Sequence, residues 1–259
     1  MVHFVGAGPG APDLITVRGK KLLEEADVII YAGSLVNPAL LGYAKAGCEI
    51  YNSAEMDLSE IIAVIKKADD GNRDVVRLHT GDPSIYGAIR EQMDLLDQEK
   101  IPYDVTPGVS SLFGAAAALN LEYTLPGISQ SVIITRMDGK TPVPEKQSVE
   151  ALSQHGATMV FFLSAGDTGR LQDRLLAAGM YPDTPCAIVY KATWPEEKKY
   201  RCRLSELEET AKANGIRRTA LIIVGKVVAG CGYENSYVYG VCNTHTSGPD
   251  GDRSGHLHR

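Results

Sequence analysis

Three short stretches of this 259-residue chain combine glycine, proline and small polar residues in a way that suits a ligand site. They are Gly6-Ala7-Gly8-Pro9-Gly10-Ala11, Thr80-Gly81-Asp82-Pro83-Ser84-Ile85-Tyr86-Gly87 and Thr106-Pro107-Gly108-Val109-Ser110-Ser111. Glycine bares the backbone and accepts positive φ, and proline fixes the angle that follows, so each stretch alone also reads as a tight turn. Each comes directly after a short apolar run with strand character. Three turns at the carboxyl ends of parallel strands lie where open sheets bind ligands, which favours a pocket lined by backbone amides and carbonyls. None of the three contains lysine or arginine. That disfavours a polyphosphate and suits a small, uncharged or zwitterionic cofactor.

The first stretch superficially satisfies G-x-G-x-x-A, the signature of dinucleotide binding. A pyrophosphate site requires a helix N-terminus opening within the motif. Here Pro9 and Pro12 each remove an amide donor, and the next helical pattern opens only at Thr16. The second strand closes on Tyr31-Ala32-Gly33-Ser34, with no carboxylate to take a ribose hydroxyl. Two independent requirements for NAD fail, and no G-K-[ST] motif is present.

The elements that position these turns follow from periodicity. Strands are expected at Val2–Val5, Asp27–Tyr31, Asp74–His79 and Tyr103–Val105, and helices at Thr16–Glu25, Asp57–Asp70, Ile85–Asp97 and Ser110–Leu119. Leu58, Ile61, Ile62 and Ile65 mark one helix face. Alternating strands and helices predict a parallel sheet covered on both faces. Beyond Pro126-Gly127 the pattern changes. Strands are expected at Ser131–Thr135, Ala157–Leu163, Cys186–Tyr190, Tyr200–Arg203 and Thr219–Val224, with a long loop over Arg136–Glu145. Helices fill Val149–Gln154, Thr168–Ala178 and Leu204–Ala213. Two consecutive strands near Cys186 and Tyr200 predict a hairpin, hence a mixed sheet. The expected fold is α/β, with domains at 1–122 and 123–231, an active site in the cleft between them, and a flexible tail at 232–259.

Composition narrows the function classes. Lys and Arg total 26 against 32 Asp and Glu, a net charge of -6, which argues against duplex nucleic acid or an anionic membrane as partner. No apolar run approaches the roughly 20 residues of a membrane span, and Met1-Val2-His3-Phe4 lacks the features of a secretion signal. A cytoplasmic enzyme is expected. Five scattered cysteines without a C-x-x-C pair are expected to be free thiols, and the six histidines form no H-E-x-x-H pair, so no metal site is expected.

Taken together and in order, Gly6-Ala7-Gly8-Pro9-Gly10 with Asp13-Leu14, Gly81-Asp82-Pro83 with Tyr86-Gly87, and Thr106-Pro107-Gly108-Val109-Ser110-Ser111 resemble the motifs of the tetrapyrrole (corrin/porphyrin) methyltransferases. The resemblance runs from Val2 to about Ala229 and includes Arg218-Thr219-Ala220. Tyr31-Ala32-Gly33-Ser34-Leu35-Val36-Asn37 and Ala54-Glu55-Met56 are further similar to the branch that methylates precorrin-4 or cobalt-precorrin-4 at C-11 in cobalamin biosynthesis. The resemblance implies S-adenosylmethionine (SAM) as methyl donor, S-adenosylhomocysteine (SAH) as product, and a homodimer. It places Pro9, Gly81, Asp82 and Ile85 along the methionine side of the cofactor, with Ser110 and Ser111 near it. Leu163 stands where relatives often have Met, Ala192 and Ala220 offer backbone groups to adenine, and Thr80 replaces a glycine of many relatives.

Methyl transfer from a sulfonium needs alignment and exclusion of water rather than a metal or a covalent intermediate, and positioning supplies roughly 7–11 kcal/mol in favourable cases. Asp82 reads either as a turn cap or as a contact to the cofactor's amino group. Tyr86 reads either as packing or as a hydrogen-bond donor to substrate. A corrin precursor carries several carboxylates, for which Arg136 and Lys140 are the leading cations, with Arg90 and Lys191 behind them. The rivals are methylation of another tetrapyrrole ring carbon or of a diphthine precursor, a non-catalytic SAM sensor, and an NAD(P)-binding oxidoreductase, which NADH rather than SAH would stabilise.

Overall fold

The computed structural model describes residues 1–236. Two five-stranded sheets organise it. The first is built from β1 (Val2–Gly6), β2 (Val28–Tyr31), β3 (Glu49–Asn52), β4 (Val75–His79) and β5 (Tyr103–Thr106), in the order β3-β2-β4-β1-β5. Every pairing in it is parallel. Helices α1 (Val17–Glu25), α2 (Leu58–Asp70) and α3 (Arg90–Glu99) are its crossovers. Val28 and Ile30 join Phe4 and Ile65 on one face, while Ile29 joins Val5 and Leu23 on the other. Both faces are therefore dry, as a parallel sheet demands.

The second sheet holds β6 (Val132–Arg136), β7 (Thr158–Phe162), β8 (Pro185–Tyr190), β9 (Lys198–Arg203) and β10 (Ala220–Val224), in the order β6-β7-β10-β8-β9. Only β6 and β7 pair in parallel, so the sheet is mixed and β8–β9 is the expected hairpin. Numbered in chain order, helix α4 (Ser111–Leu119) precedes this sheet, and α5 (Val149–Ser153), α6 (Thr168–Ala177) and α7 (Leu207–Ala213) cover one of its faces. The other face is covered by α4: Leu112, Ala115 and Leu119 pack with Val160, Val189 and Ile223. Helix α4 thus follows the last strand of the first sheet yet buries its apolar side against the second.

Local chemistry sets the helix starts. The Thr16 hydroxyl caps α1 by accepting from the Gly19 amide at 3.0 Å, and Asp57 and Glu60 form a reciprocal capping box at α2. The helix expected from Ile85 instead opens at Arg90, because Tyr86 and Ala88 take φ values of 55° and 50°. Between them Gly87 passes so close to the Pro83 carbonyl that a Cβ there would overlap it. Strand β3 was not legible in the sequence, being a short edge strand whose residues are only partly covered. The four cysteines of the described region are free, while Cys242 and most of the tail expected at 232–259 lie outside the described residues.

Three turns converge at the carboxyl edge of the first sheet. Gly8 and Gly81 exchange backbone hydrogen bonds of 3.2 and 2.9 Å. A Cβ on Gly6 would lie 2.5 Å from Gly108 Cα, and one on Gly108 would overlap the Gly81 carbonyl oxygen and sit 2.7 Å from Gly6 Cα. Only glycine permits this approach. Farther along, the loop after β6 is pinned by charge. Asp138 pairs with Arg170 and Arg174, and Arg174 also forks onto Glu150 with two 2.6 Å bonds.

Two outcomes follow from this scaffold. Gly108→Ala is expected to destabilise the protein by about 1–3 kcal/mol in urea denaturation, whereas Gly42→Ala, with nothing within 4 Å, stays within about 0.5 kcal/mol of the parent. Hydrogen bonds from Arg170 and then Arg174 hold the Asp138 carboxyl at about 2, below its ordinary 3.8. A depressed carboxylate stabilises above its unfolded pKa and loses that effect as pH falls through the folded one. The melting-temperature gap between the parent and Asp138→Asn should therefore be open at neutral pH and close between about pH 4 and about pH 2.

Candidate active site

The converging turns form one wall of a cavity of about 390 Å³, within the range of small-molecule sites. Pro9, Thr80 and Ser111 line it from the first sheet's edge, and Leu163, Ala192 and Ala220 from the second. Trp194 closes one end. Its indole Nε1 donates to the Pro9 carbonyl at 3.2 Å, and a Cβ on Gly10 would overlap its ring. Next to it, the Ala11 amide donates to Thr193 Oγ1 at 2.9 Å, while Asn37 Nδ2 donates to the Gly10 carbonyl at 2.8 Å. The first glycine turn is therefore clamped from both halves.

Gly81, Asp82 and Ser110 stand behind this wall. Asp82 Oδ2 accepts from the Gly108 amide at 2.9 Å, and Oδ1 accepts from the Ser84 amide at 2.9 Å and from the Ser84 hydroxyl. Partial burial works to raise the Asp82 pKa, but the Ser84 hydroxyl and the Gly108 and Ser84 amides prevail and hold it below the ordinary carboxylate value. An ionised carboxylate with both oxygens engaged ties the second turn to the third. Ser110 is buried and caps α4, its hydroxyl accepting from the Leu112 amide at 3.2 Å. Ile85 lines a smaller adjoining cavity that shares Thr80 with the main one.

Leu163 has a φ of 51° and is 73% exposed, an apolar side chain held by a left-handed backbone at the cavity wall. The cavity shares Leu163 and Gly166 with an open trough of about 620 Å³ lined by Tyr86, Arg136, Lys140 and Arg170, with Asp138 and Asp167 also in its wall. The Tyr86 ring packs on Phe162, with centroids 5.6 Å apart. Burial raises the Tyr86 pKa, partly opposed by the Arg136 charge, so its hydroxyl is a proton-bearing donor at neutral pH. Arg136 faces the trough but also donates to the carbonyls of Met137, Thr141 and Pro142 at 3.0, 3.1 and 3.3 Å, so it shapes the loop that frames the trough.

Not every expected residue is brought here. Arg90 sits on the exposed side of α3, its guanidinium paired with Asp94 and Asp97, because the later helix start turns it away from the cavities. Lys191 does line the main cavity, 3.5 Å from Glu196 and 5.0 Å above the Trp194 ring. Trp194 and Arg217 were not singled out in the sequence, and Arg218 only as part of the Arg218-Thr219-Ala220 motif; all three are in the lining. Two adjacent arginines just before the last core strand were the available signal for the latter pair. No Asp or Glu lines the main cavity among the described residues, so its charge is cationic inside an acidic chain. The NAD alternative has no support in this geometry: α1 opens only at Val17, and Gly8 is consumed in pairing with Gly81.

Comparison with known proteins gives a consistent result. The family described as Tetrapyrrole (Corrin/Porphyrin) Methylases matches residues 1–208. A cobalt-precorrin-4 C(11)-methyltransferase of Methanocaldococcus jannaschii is 53% identical over 92% of this chain and 92% of its own. A precorrin-4 C(11)-methyltransferase of Pseudomonas aeruginosa is 42% identical over 96% of this chain and 98% of its own. The solved structure of a cobalt precorrin-4 methyltransferase of cobalamin biosynthesis superposes with a TM-score of 0.86 at 45% identity, covering 88% of this chain and 95% of that one. A uroporphyrin-III C-methyltransferase of Thermus thermophilus complexed with S-adenosyl homocysteine gives 0.74 at 29% identity, over 89% of this chain and 99% of that one. The glycine turns, the two sheets and these similarities agree: the chain belongs to the tetrapyrrole (corrin/porphyrin) methylases.

Proposed function

We propose that the protein transfers the methyl group of SAM to C-11 of precorrin-4 or cobalt-precorrin-4, a C-methylation in cobalamin biosynthesis. The observation that carries the proposal is a cavity of cofactor size, with no Asp or Glu in its lining among the described residues, that adjoins a trough at Leu163. In that trough Arg136 and Lys140 have no acidic partner among the described residues to neutralise them, while Arg170 is paired with Asp138. The relatives named for this reaction, matched over nearly the whole chain, support the regiochemistry. Any cobalt belongs to the ring and enters as substrate. The same reading divides the chain into units at 1–122 and 123–231 with the active site between them, and takes it to be a cytoplasmic homodimer without nucleic-acid or membrane partners. No helix among the described residues is long and apolar enough to cross a membrane.

The residues present fit SAM. Gly81 and Gly108 pack the turns that support the Pro9, Thr80 and Ser111 wall, and Leu163, Val189 and Leu221 give apolar surface for a purine. Pro9, Ala192 and Ala220 present backbone, and Lys191, Arg217 and Arg218 supply positive charge for a carboxylate. When bound, SAM supplies an electrophilic methyl group on a sulfonium. The chain aligns and dries the site: Trp194 and Leu163 flank the cavity, and Tyr86 packed on Phe162 stands where cavity and trough meet. Asp82, ionised and doubly engaged, holds two turns together and is not placed to move a proton. Catalysis therefore rests on proximity and desolvation.

Incubation with methyl-labelled SAM and precorrin-4, with and without cobalt, should place the label at C-11, and label at another carbon would reject the assignment. Arg136→Ala is expected to raise KM for the macrocycle and leave SAH affinity unchanged in calorimetry. Equal loss of both would make the loop part of the cofactor pocket. Asp82→Asn is expected to weaken SAH binding and lower kcat by about 10- to 100-fold, the scale of a small misplacement. Tyr86→Phe, which keeps the ring, should stay within about 10-fold. A loss beyond roughly 10⁴-fold with SAH binding intact would instead mark either residue as an acid or base.

A further inference from the structure

A buried arginine and a buried histidine stand beside the cavity assigned to the cofactor, on β4. Arg77 and His79 are two residues apart on the strand, so their side chains leave the sheet on the same side. They are 5% and 4% exposed. Arg77 is held firmly: its Nε donates to Gln92 Oε1 and its Nη1 to the Ile30 carbonyl, each at 3.0 Å. Gln92 in turn donates to the Ala88 carbonyl at 3.0 Å. These are neutral acceptors, and no ion pair of Arg77 is found among the described residues. His79 Nε2 is buried and has no hydrogen-bond partner among the described residues, a costly state that asks for an explanation.

Both side chains line a cavity of about 290 Å³ with Thr80, Tyr86, Glu91 and Gln92. It shares Leu35 and Thr80 with the main cavity, and Tyr86 and Ala88 with the trough. Anything seated in it belongs to a molecule whose body lies at that junction. Leu58, Ile61 and Ile85 supply apolar wall. Among the described residues Glu91 is the one acidic residue of the lining and is exposed on α3, so negative charge is favoured near buried Arg77 rather than beside Glu91. A short methylene stem ending in a carboxylate matches an apolar wall followed by an unneutralised guanidinium and an unpaired ring nitrogen.

We propose, building on the tetrapyrrole reading above, that this cavity seats one acetate or propionate arm of the macrocycle, its carboxylate pairing with Arg77 and accepting from His79 Nε2. Burial first, and then the Arg77 charge, hold the His79 pKa at about 3, so the ring is neutral and carries a single N–H. Burial lowers the Arg77 pKa only to about 10, so its charge persists. The arm would fix the ring's angle at Tyr86, making His79 a positioning residue.

The histidine is the residue to change, because Arg77 also satisfies the buried Ile30 carbonyl. His79→Phe is expected to raise KM for cobalt-precorrin-4 about 10-fold or more, while kcat and SAH affinity stay within about 3-fold, and His79→Gln, which returns an N–H, should recover most of the loss. A binding arm uses uroporphyrin III and its methyl ester as probes. The free acid should shift the His79 Nε2 resonance in ¹⁵N-histidine-labelled full-length protein, and the ester should not. An unchanged KM in His79→Phe, or a resonance that ignores uroporphyrin III, overturns the subsite while leaving the methyltransferase reading intact. A parent protein that methylates no tetrapyrrole ends that reading instead, and the resonance still decides the cavity.

Discussion

Backbone packed directly on backbone is the constraint from which the rest of this molecule follows. Gly6, Gly81 and Gly108 are 27 to 102 positions apart in the chain, yet they leave no room for a Cβ between them. Strand β1 lies between β4 and β5, so the three turns emerge side by side at one edge. The two-way hydrogen bonding of Gly8 with Gly81 and the grip of Asp82 on the Gly108 amide then draw them together. A surface made this way presents fixed peptide groups and no mobile charge. It suits a ligand that must be held accurately rather than strongly.

The two halves are joined through the same edge. Trp194 and Thr193 reach from the second sheet to Pro9 and Ala11, and α4 leaves the third turn to lie on the second sheet. Arg201 adds a 2.9 Å bond from its Nη2 to the Leu119 carbonyl at the far end of that helix, and Tyr123 bonds back to the Leu112 carbonyl at 2.7 Å. Helix α4 is thus a shared wall. Movement of one sheet against the other would have to break the Trp194–Pro9 and Ala11–Thr193 hydrogen bonds beside the start of this helix.

Charge is distributed against the average of the chain. The net charge is -6, yet Lys191, Arg217 and Arg218 line the cavity without an acidic residue in its lining among the described residues, and in the trough Arg136, Lys140 and Arg170 outnumber Asp138 and Asp167. Many of the acidic side chains are engaged on the surface, as in the Asp138–Arg174–Glu150 group that braces the loop after β6. Exposed pairs of that kind add little stability singly, but a network that ties a loop to two helices restricts its position. Buried Arg77 and neutral His79 are the exception, polar groups held dry without an anionic partner.

Much of this was written in local sequence. The alternation of short apolar runs with helical faces defined a parallel sheet and then a mixed one, since each run is long enough for a strand and too short for a helix. The three glycine turns were legible as a group because each falls directly after a strand. Their order, together with the resemblance it carries, pointed to a methyl donor and a tetrapyrrole. Pro9, Thr80, Ser111, Leu163, Ala192 and Ala220 were named from sequence and meet around one cavity. What sequence alone could not decide was direction and partner. Arg90 stood behind Arg136 and Lys140 as a candidate cation, and in the fold, where left-handed backbone at Tyr86 and Ala88 delays α3, it lies exposed and paired with Asp94 and Asp97. Asp82 could have faced a ligand, but the nearness of the third turn engaged both its oxygens. Trp194 and His79 carry no local signature at all, because what surrounds them includes residues far away in the chain, Pro9 for the one and the α3 residues Glu91 and Gln92 for the other, and such neighbours meet only once the chain has folded.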